Sequence, residues 1–304
     1  MFDVLVHADW SANLPKRWAV TAERIRDGWF ISSPEPASTV AKLLDTAKDR
    51  PVFAGFDFPI GVPAAWGEET GVADYVSLLP MLGEGVWHSF FSVADTAGEI
   101  GLHRPFYPRV SSASTKQRHL LDALQVDGID DLRRMCERAT PDRRAACALF
   151  WTLGGNQVGK AALAGWKEVV IPGIKAGAKL WPFTCDLREV RPSGLTLAET
   201  YPAEAYRHVG VQFRGGMSKR RQADRQSFTA ILLAWADQHH IALSEAMRAA
   251  IQDGFGSGAD GEDKFDAMLG LCGMIDVVSG RRTPGTPDDP AIKRWEGWIL
   301  GQQR

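Results

Sequence analysis

Apolar runs separated by short polar breaks predict three strands, a helix and a fourth strand over the first 58 residues. Residues 2–9, FDVLVHAD, are rich in Val, Leu and Phe, and Asp27-Gly28 separates two further runs that are typical of a hairpin. In ASTVAKLLDTAKD the apolar residues recur at helical spacing, with Ser38 as the expected N-cap. PVFAGFDF follows as the fourth strand. This order of elements favours an α/β layer with a mixed sheet.

The middle of the chain has a different pattern. Gly, Pro and aromatic residues interrupt the stretch from 64 to 113, and helical spacing resumes after it. The predicted helices cover 115–125, 130–138, 142–152 and 157–177. We interpret residues 64–177 as a mostly helical insertion within a single domain of residues 1–304.

Strand patterns return after the insertion, at residues 178–183 (AKLWPF) and 194–203 (GLTLAETYPA). Three helices are then predicted, over residues 218–240, 244–253 and 263–279. The Pro-rich tail ends in a short amphipathic helix. The chain therefore begins and ends with α/β patterns on either side of the insertion.

The composition is that of an ordinary globular protein: of 304 residues, 45% are hydrophobic and 24% are charged, with a formal net charge of −2. So small a net charge gives no basic field, which argues against tight, nonspecific nucleic-acid binding. The four cysteines show no Cys-x-x-Cys spacing, so we expect neither a zinc ribbon nor a dithiol redox motif. Neither a secretory signal pattern nor an apolar run of about 18 residues is visible. We therefore expect a cytoplasmic protein without a membrane span.

Acidic residues follow several of the apolar runs. Asp57 lies at the end of PVFAGFDF, where an unpartnered buried carboxylate would cost several kcal/mol. Asp9 ends the first strand, and Glu199 lies at the end of another. Asp263 and Asp266 are three residues apart at the start of the last long helix, so they share one helical face. Any one of these carboxylates alone is typical of a cap or a turn, but four such positions in one chain suggest a site.

Ligands in α/β sheets bind beyond the carboxyl ends of the strands, where these side chains would converge. Converging carboxylates repel one another unless a cation lies between them, and oxygen ligands suit Mg²⁺ or Mn²⁺. Such a site can activate water for phosphodiester hydrolysis. Ala267, Gly270 and Gly273 form a small-residue face on the last helix, which would let that helix approach the sheet closely.

Three basic residues are candidate phosphate contacts. Lys219 and Arg220, in SKRRQADRQS, lie near the start of a predicted helix, whose N-terminus favours anions. Lys160 follows the Gly-rich stretch GGNQVG, but Ala161 stands where a nucleotide-binding P-loop needs Ser or Thr. The alternatives are a solvated charged face and a helix–helix connection. Trp10 is a candidate for stacking on a base, with core packing as the alternative.

The chain resembles the family known as domain of unknown function 429, which consists of predicted nucleases with an RNase H-like fold. The resemblance is carried by HADWS, GFDFPIGVP, FWTLGGNQVGKAALAGW, LWPF followed by AETYPAEAY, SKRRQADR, and EDKFDAMLGLCGMIDVV. It implies an RNase H-like mixed five-stranded sheet, with its first three strands antiparallel, flanked by helices. It also implies that Asp9, Asp57, Glu199 and one or both of Asp263 and Asp266 line one site. An Arg-x-Cys-Asp element common among these proteins is missing after Asp57, where GEETGVADYVS stands.

The sequence thus favours a divalent-metal-dependent phosphodiesterase or nuclease with Mg²⁺ or Mn²⁺ as cofactor. Asp9 and Asp57 would bind the first metal, and Glu199 and Asp266 would complete the site, with Asp263 in or beside the outer ligand sphere. The expected partner is a phosphate-containing substrate, with nucleic acid as one candidate. Two alternatives stay open: a phosphotransferase with a sugar-kinase-like core, and a non-catalytic binding or regulatory domain. No second copy of the first-strand pattern, which the kinase alternative predicts, is visible.

Overall fold

A mixed β-sheet organises the molecule, and a computed structural model describes it for residues 2–111, 115–141, 143–153, 158–189 and 191–303. Within these residues the sheet has eight strands. They are β1 (Val4–Asp9), β2 (Trp18–Ile25), β3 (Gly28–Ile31), β4 (Glu35–Pro36), β5 (Pro51–Phe56), β6 (Lys179–Leu180), β7 (Gly194–Glu199) and β8 (Ile241–Leu243). Their order is β6-β7-β5-β1-β2-β3-β8, and β4 pairs with β2.

The first three strands form an antiparallel meander, in agreement with the predicted hairpin. Strands β5 and β7 extend the sheet parallel to β1, and β6 and β8 add parallel edges. The expectation of five strands is therefore too low. Strands β4 and β8 have only two or three residues each, too few to produce a detectable alternation of apolar and polar residues. The strand predicted over 178–183 is β6, which is shorter than predicted.

Helices cover both faces of the sheet. Their bounds are α1 (Val40–Thr46), α2 (Ala64–Glu69), α3 (Tyr75–Leu78), α4 (Arg118–Leu124), α5 (Val158–Gly165), α6 (Ile171–Lys175), α7 (Pro202–Val209), α8 (Gln222–Gln226), α9 (Thr229–Gln238), α10 (Glu245–Gln252) and α11 (Gly261–Val278). Two π-helical turns, Trp166–Val170 and Ile292–Glu296, lie between α5 and α6 and in the tail. Among the described helices, none is both long and apolar enough to cross a bilayer.

The insertion is less helical than its pattern predicts. Helix α4 lies within the predicted 115–125 helix, whereas 130–138 forms two short 3₁₀ turns and the described part of 142–152 contains no helix. The predicted helix over 157–177 is α5 and α6, joined by a π-helical turn. Aromatic packing stabilises these irregular segments, and their side chains share one apolar core with a face of the sheet.

Three further boundaries differ from the predictions. Thr39 caps α1 by accepting a hydrogen bond from the Lys42 N–H, so Ser38 is not the cap. Pro202 begins α7, which ends the strand pattern that was predicted to run to residue 203. The predicted helix over 218–240 is divided into α8 and α9. Helices α10 and α11 confirm the predictions for 244–253 and 263–279.

Helix α11 packs directly across β1 and β2, as its small-residue face predicts. A β-carbon on Gly270 would lie 2.1 Å from Nε2 of His7 on β1, and one on Gly273 would lie 3.0 Å from Cβ of Ala205 on α7. Burial lowers the pKa of His7 to about 3, so its ring is neutral beneath the helix. The missing side chains therefore set the distance between α11 and the sheet.

Replacing Gly270 by alanine is expected to lower the free energy of unfolding by about 1–3 kcal/mol, because the added methyl overpacks the His7 contact. The loss should appear although alanine favours a helix by about 1 kcal/mol over glycine. Urea denaturation measures it. At Gly98, where an added β-carbon meets no atom within 4 Å, the same substitution should change stability by less than about 0.5 kcal/mol. Equal effects at the two glycines would contradict this account.

Candidate active site

Strand pairing places Asp9 and Asp57 next to each other. Strands β1 and β5 are parallel and pair Ala8 with Phe56, so the residue that follows each lies at the same level and on the same face. The Trp10 N–H donates a 2.6 Å hydrogen bond to Oδ1 of Asp57. The Asp9 and Asp57 side chains also hydrogen-bond to each other. Two carboxyl groups can do so only if they share a proton.

Electrostatics favours that shared proton. Burial raises the pKa of Asp9, and the charges of Asp57, Asp266 and Asp263 raise it further. Burial likewise raises the pKa of Asp57, although the hydrogen bonds from Asp9 and the Trp10 N–H oppose this rise. Asp9 is therefore the proton donor of the pair, and Asp57 is the acceptor. A cation placed between them would replace this proton.

Helix α11 brings two more carboxylates to the same place. Asp266 is buried and accepts a hydrogen bond from the Tyr206 hydroxyl, and it forms an ion pair with Lys219. Asp263 lies one turn earlier, and its Oδ2 is buried without a hydrogen-bond partner among the described residues. Burial is the main cause that raises the pKa of Asp263 to about 6. Four of the five predicted carboxylates thus influence one another.

Glu199 lies elsewhere. It pairs with Phe56 in the parallel register, so its side chain points to the sheet face opposite to Asp57. There the two guanidinium Nη atoms of Arg134 each donate a 2.6 Å hydrogen bond to one of its oxygens, and the Ile60 N–H donates another at 2.7 Å. The prediction that Glu199 completes the acidic site does not fit this geometry, because both of its oxygens are already bound.

Thr200, the residue after Glu199, lies on the face of the sheet where Glu199 was expected. Thr200 lies on the α11 face: a β-carbon on Gly55 would meet both its methyl group and Met274 of α11. The Thr200 hydroxyl is buried without a hydrogen-bond partner among the described residues. The one-residue difference in register is decisive, because alternate residues of a strand face opposite sides of the sheet.

Arg134 is the centre of a buried network that sequence reasoning missed. Its side chain is fully buried and also binds Glu137, at 2.8 and 3.0 Å. It further donates to the carbonyl oxygens of Ile60 and Glu296, and the Glu296 carboxylate accepts the N–H groups of Ala64 and Met135. The network ties the insertion, β7 and the C-terminal tail together. The three-residue spacing of Arg and Glu in RMCE was the available signal.

Of the three candidate phosphate contacts, one lies near the carboxylates and two lie away from them. Lys219 lies against Asp266, and Arg220 is 82% exposed with a 3.7 Å ion pair to Glu262. Lys160 is on α5 and does not line the cavity described next, and residues 154–157 of the Gly-rich stretch lie outside the described residues. Because α8 begins only at Gln222, the expected helix N-terminus is not at Lys219.

A cavity of about 600 Å³ opens at the carboxyl ends of β5 and β7. Its charged and aromatic lining consists of Trp10, Asp57, Arg134, Glu137, Arg143, Arg144, Glu199, Tyr201 and Lys219. Trp10 is nearly buried, and the Arg17 guanidinium lies 4.1 Å from its ring centre. The interpretation of Trp10 as a base-stacking platform is therefore replaced by packing in the wall. Sequence reasoning did not single out Arg144 or Tyr201, although Tyr201 lies within the AETYPAEAY motif.

The donor set at Asp9 and Asp57 suits a hard divalent cation, since Mg²⁺ is usually held by one or two carboxylates together with water and substrate phosphate. Within the described residues, no group of three or more His, Cys, Asp and Glu side chains is arranged to hold a metal ion. Lys219 occupies one side of Asp266. The protein alone would therefore contribute the two strand carboxylates, and the remaining ligands would come from water and substrate.

Comparisons with known proteins do not add to this picture. No family model, no curated protein and no solved structure matches the chain. The resemblance to RNase H-like predicted nucleases, carried by HADWS, GFDFPIG and AETYP, therefore stays a prediction.

Proposed function

We propose that this chain is a divalent-metal-dependent phosphodiester hydrolase with an RNase H-like core. The observation that carries the proposal is the position of Asp9 and Asp57, which lie side by side at the ends of two parallel strands, close to a cavity with basic side chains. Five contiguous strands, β3-β2-β1-β5-β7, include an antiparallel β1–β2–β3 meander, and this agrees with the sheet that the resemblance implies.

Each residue has a role that follows from its contacts. Asp9 and Asp57 would hold Mg²⁺ or Mn²⁺, with Asp9 deprotonated. The ion would polarise a phosphoryl oxygen of the substrate and lower the pKa of a water molecule. Asp266, which accepts a hydrogen bond from Tyr206, fixes Lys219 beside the carboxylates, where the ammonium group offsets part of their negative charge. Asp263 is the candidate proton acceptor, because its Oδ2 has no partner among the described residues and its pKa lies near 6.

Titration calorimetry with Mn²⁺ and Mg²⁺ tests the metal site. The wild-type protein is expected to bind, and Asp57→Asn is expected to lose the binding, because the substitution removes a ligand. Asp122→Asn is the matched control, since Asp122 is 63% exposed on α4 and its one ion pair with a described residue is to Arg118, at 3.5 Å. It should bind as the wild type does. The absence of binding at millimolar metal would refute the proposal of a metal-dependent hydrolase. Equal binding by Asp57→Asn would exclude the ion from this site.

Metal affinity should rise with pH. Both strand carboxylates have raised pKa values, so protons compete with the ion at low pH and must leave when it binds. We expect at least a tenfold gain in Mn²⁺ affinity between about pH 5.5 and 7.5. Calorimetry in two buffers of different ionisation enthalpy should show about one proton released for each ion. If the Mn²⁺ affinity does not depend on pH and no proton is released, the ion does not displace a proton from Asp9 and Asp57.

A further inference from the structure

We infer that the cavity binds a nucleotide unit, either free or at a single-stranded end, with its base on Tyr201 and its phosphate against Arg144. The inference rests on the proposed function, because it names the substrate class of the same site. It combines three observations: an exposed aromatic ring, an unpaired cation and the size of the cavity.

Tyr201 is exposed where an aromatic side chain would ordinarily be buried. It is 48% exposed, and among the described residues only it and Phe30 are aromatic side chains in the exposed group. Its neighbour Tyr206 packs instead against Phe213 and Phe265. Tyr201 lines the cavity. Partial burial raises the pKa of its hydroxyl, the charge of nearby Asp266 raises it further, and that of Lys219 lowers it. Its ring therefore offers a stacking surface near the carboxylates.

Arg144 is the cation of the cavity that has no partner within the described part of the chain. The other cations of the cavity are paired with carboxylates. Arg134 binds Glu199 in the buried network, Arg143 binds Glu204 at 2.6 Å, and Lys219 is paired with Asp266. The Arg144 side chain is exposed at the cavity, and no hydrogen bond or ion pair joins it to a described residue. A guanidinium group in this position suits a phosphate, which it can bind through two parallel hydrogen bonds.

The volume of the cavity and the net charge of the protein indicate which class of ligand fits. About 600 Å³ is the size of a small-molecule site, which admits one or two nucleotides. A net charge of −2 provides no field to hold a duplex. A sugar phosphate would use Arg144 but would leave the Tyr201 ring exposed. A base on that ring gains stacking energy without needing a specific hydrogen-bond pattern.

Calorimetry in EDTA tests this inference without metal. AMP is expected to bind roughly 10- to 100-fold more tightly than ribose 5-phosphate, which is the stacking contribution. Tyr201→Ala should reduce the affinity for AMP to the affinity that the wild type has for ribose 5-phosphate. Tyr201→Phe should keep the stacking and therefore the AMP affinity. Arg144→Ala should lower the affinity for AMP about tenfold and leave the affinity for adenosine, which has no phosphate, unchanged. Arg118→Ala, which removes an exposed arginine of α4, is the control. It should change neither the AMP affinity nor the adenosine affinity.

Three results would overturn the inference: no binding of AMP, equal binding of AMP and ribose 5-phosphate, or full AMP affinity in Tyr201→Ala. A 5′-phosphorylated adenylate trinucleotide distinguishes the two sources of the ligand. If it binds more tightly than AMP, the site takes a strand end, and equal affinity indicates a free nucleotide. Mn²⁺ binding is measured separately, so AMP binding without metal binding would retain the substrate class and refute the hydrolase.

Discussion

Arg134→Met is expected to destabilise the protein by about 3–5 kcal/mol, because it breaks a buried ion-pair network. The guanidinium group is fully buried and binds the carboxylates of Glu137 and Glu199. Removal of the guanidinium leaves two buried carboxylates without their counter-charge, whereas methionine only approximately fills the volume. Urea unfolding monitored by tryptophan fluorescence measures the loss.

The loss should grow with pH. Burial raises the pKa of Glu199, and Arg134 is the main influence that opposes this rise. Without Arg134 the folded-state pKa of Glu199 rises further above its unfolded value, so the folded state holds a proton that the unfolded state releases. Stability then falls as pH increases through this interval. Arg134→Met should therefore lose more stability at pH 8 than at pH 5.

Arg118→Met provides the comparison, because Arg118 is 81% exposed and its ion pair with Asp122 measures 3.5 Å. Exposed ion pairs contribute little, so this variant should lie within about 0.5 kcal/mol of the wild type. If Arg134→Met were equally mild, the buried network would not be what joins the insertion, β7 and the tail.

The sequence predicted the elements whose patterns are long and regular. Strands β1, β2 and β5 and helices α10 and α11 have clear periodicity, and the carboxylates at their ends follow from it. Asp9 and Asp57 were identifiable because each directly follows an apolar run. Asp266 was identifiable because α11 has a small-residue face on the same side, and Gly270 does touch His7.

Glu199 shows where this reasoning fails. Its position at the end of β7 is as predicted, but only the pairing of β7 with β5 decides which face its side chain occupies. Its partner Arg134 comes from the insertion, 65 residues earlier in the chain, in a segment of short turns. Arg144 and Tyr201 were missed for the same reason. Their exposure at the cavity depends on tertiary contacts that no local pattern encodes.

Under the proposed function, Asp9→Asn is expected to abolish phosphodiester hydrolysis, with a loss of roughly 10³-fold or more, yet to leave the stability of the metal-free protein almost unchanged. In the metal-free protein Asp9 already carries the shared proton, so asparagine replaces one neutral donor to Asp57 with another. The amide cannot lose that proton to bind a cation. Loss of a metal that supplies several kcal/mol of transition-state stabilisation gives a rate effect of this size. Hydrolysis of bis(p-nitrophenyl) phosphate with Mn²⁺ measures it.

The combination of effects is more informative than the rate alone. A purely structural role for Asp9 predicts that Asp9→Asn lowers the melting temperature in EDTA. The proposed role predicts an unchanged value in EDTA, within about 1 kcal/mol of wild-type stability, together with loss of the stabilisation that Mn²⁺ gives the wild type. Asp122→Asn should keep both the activity and the Mn²⁺ stabilisation. Retention of more than a tenth of the activity by Asp9→Asn would show that the reaction does not pass through this carboxylate pair. A fall in stability without metal would instead mean that the pair serves the fold.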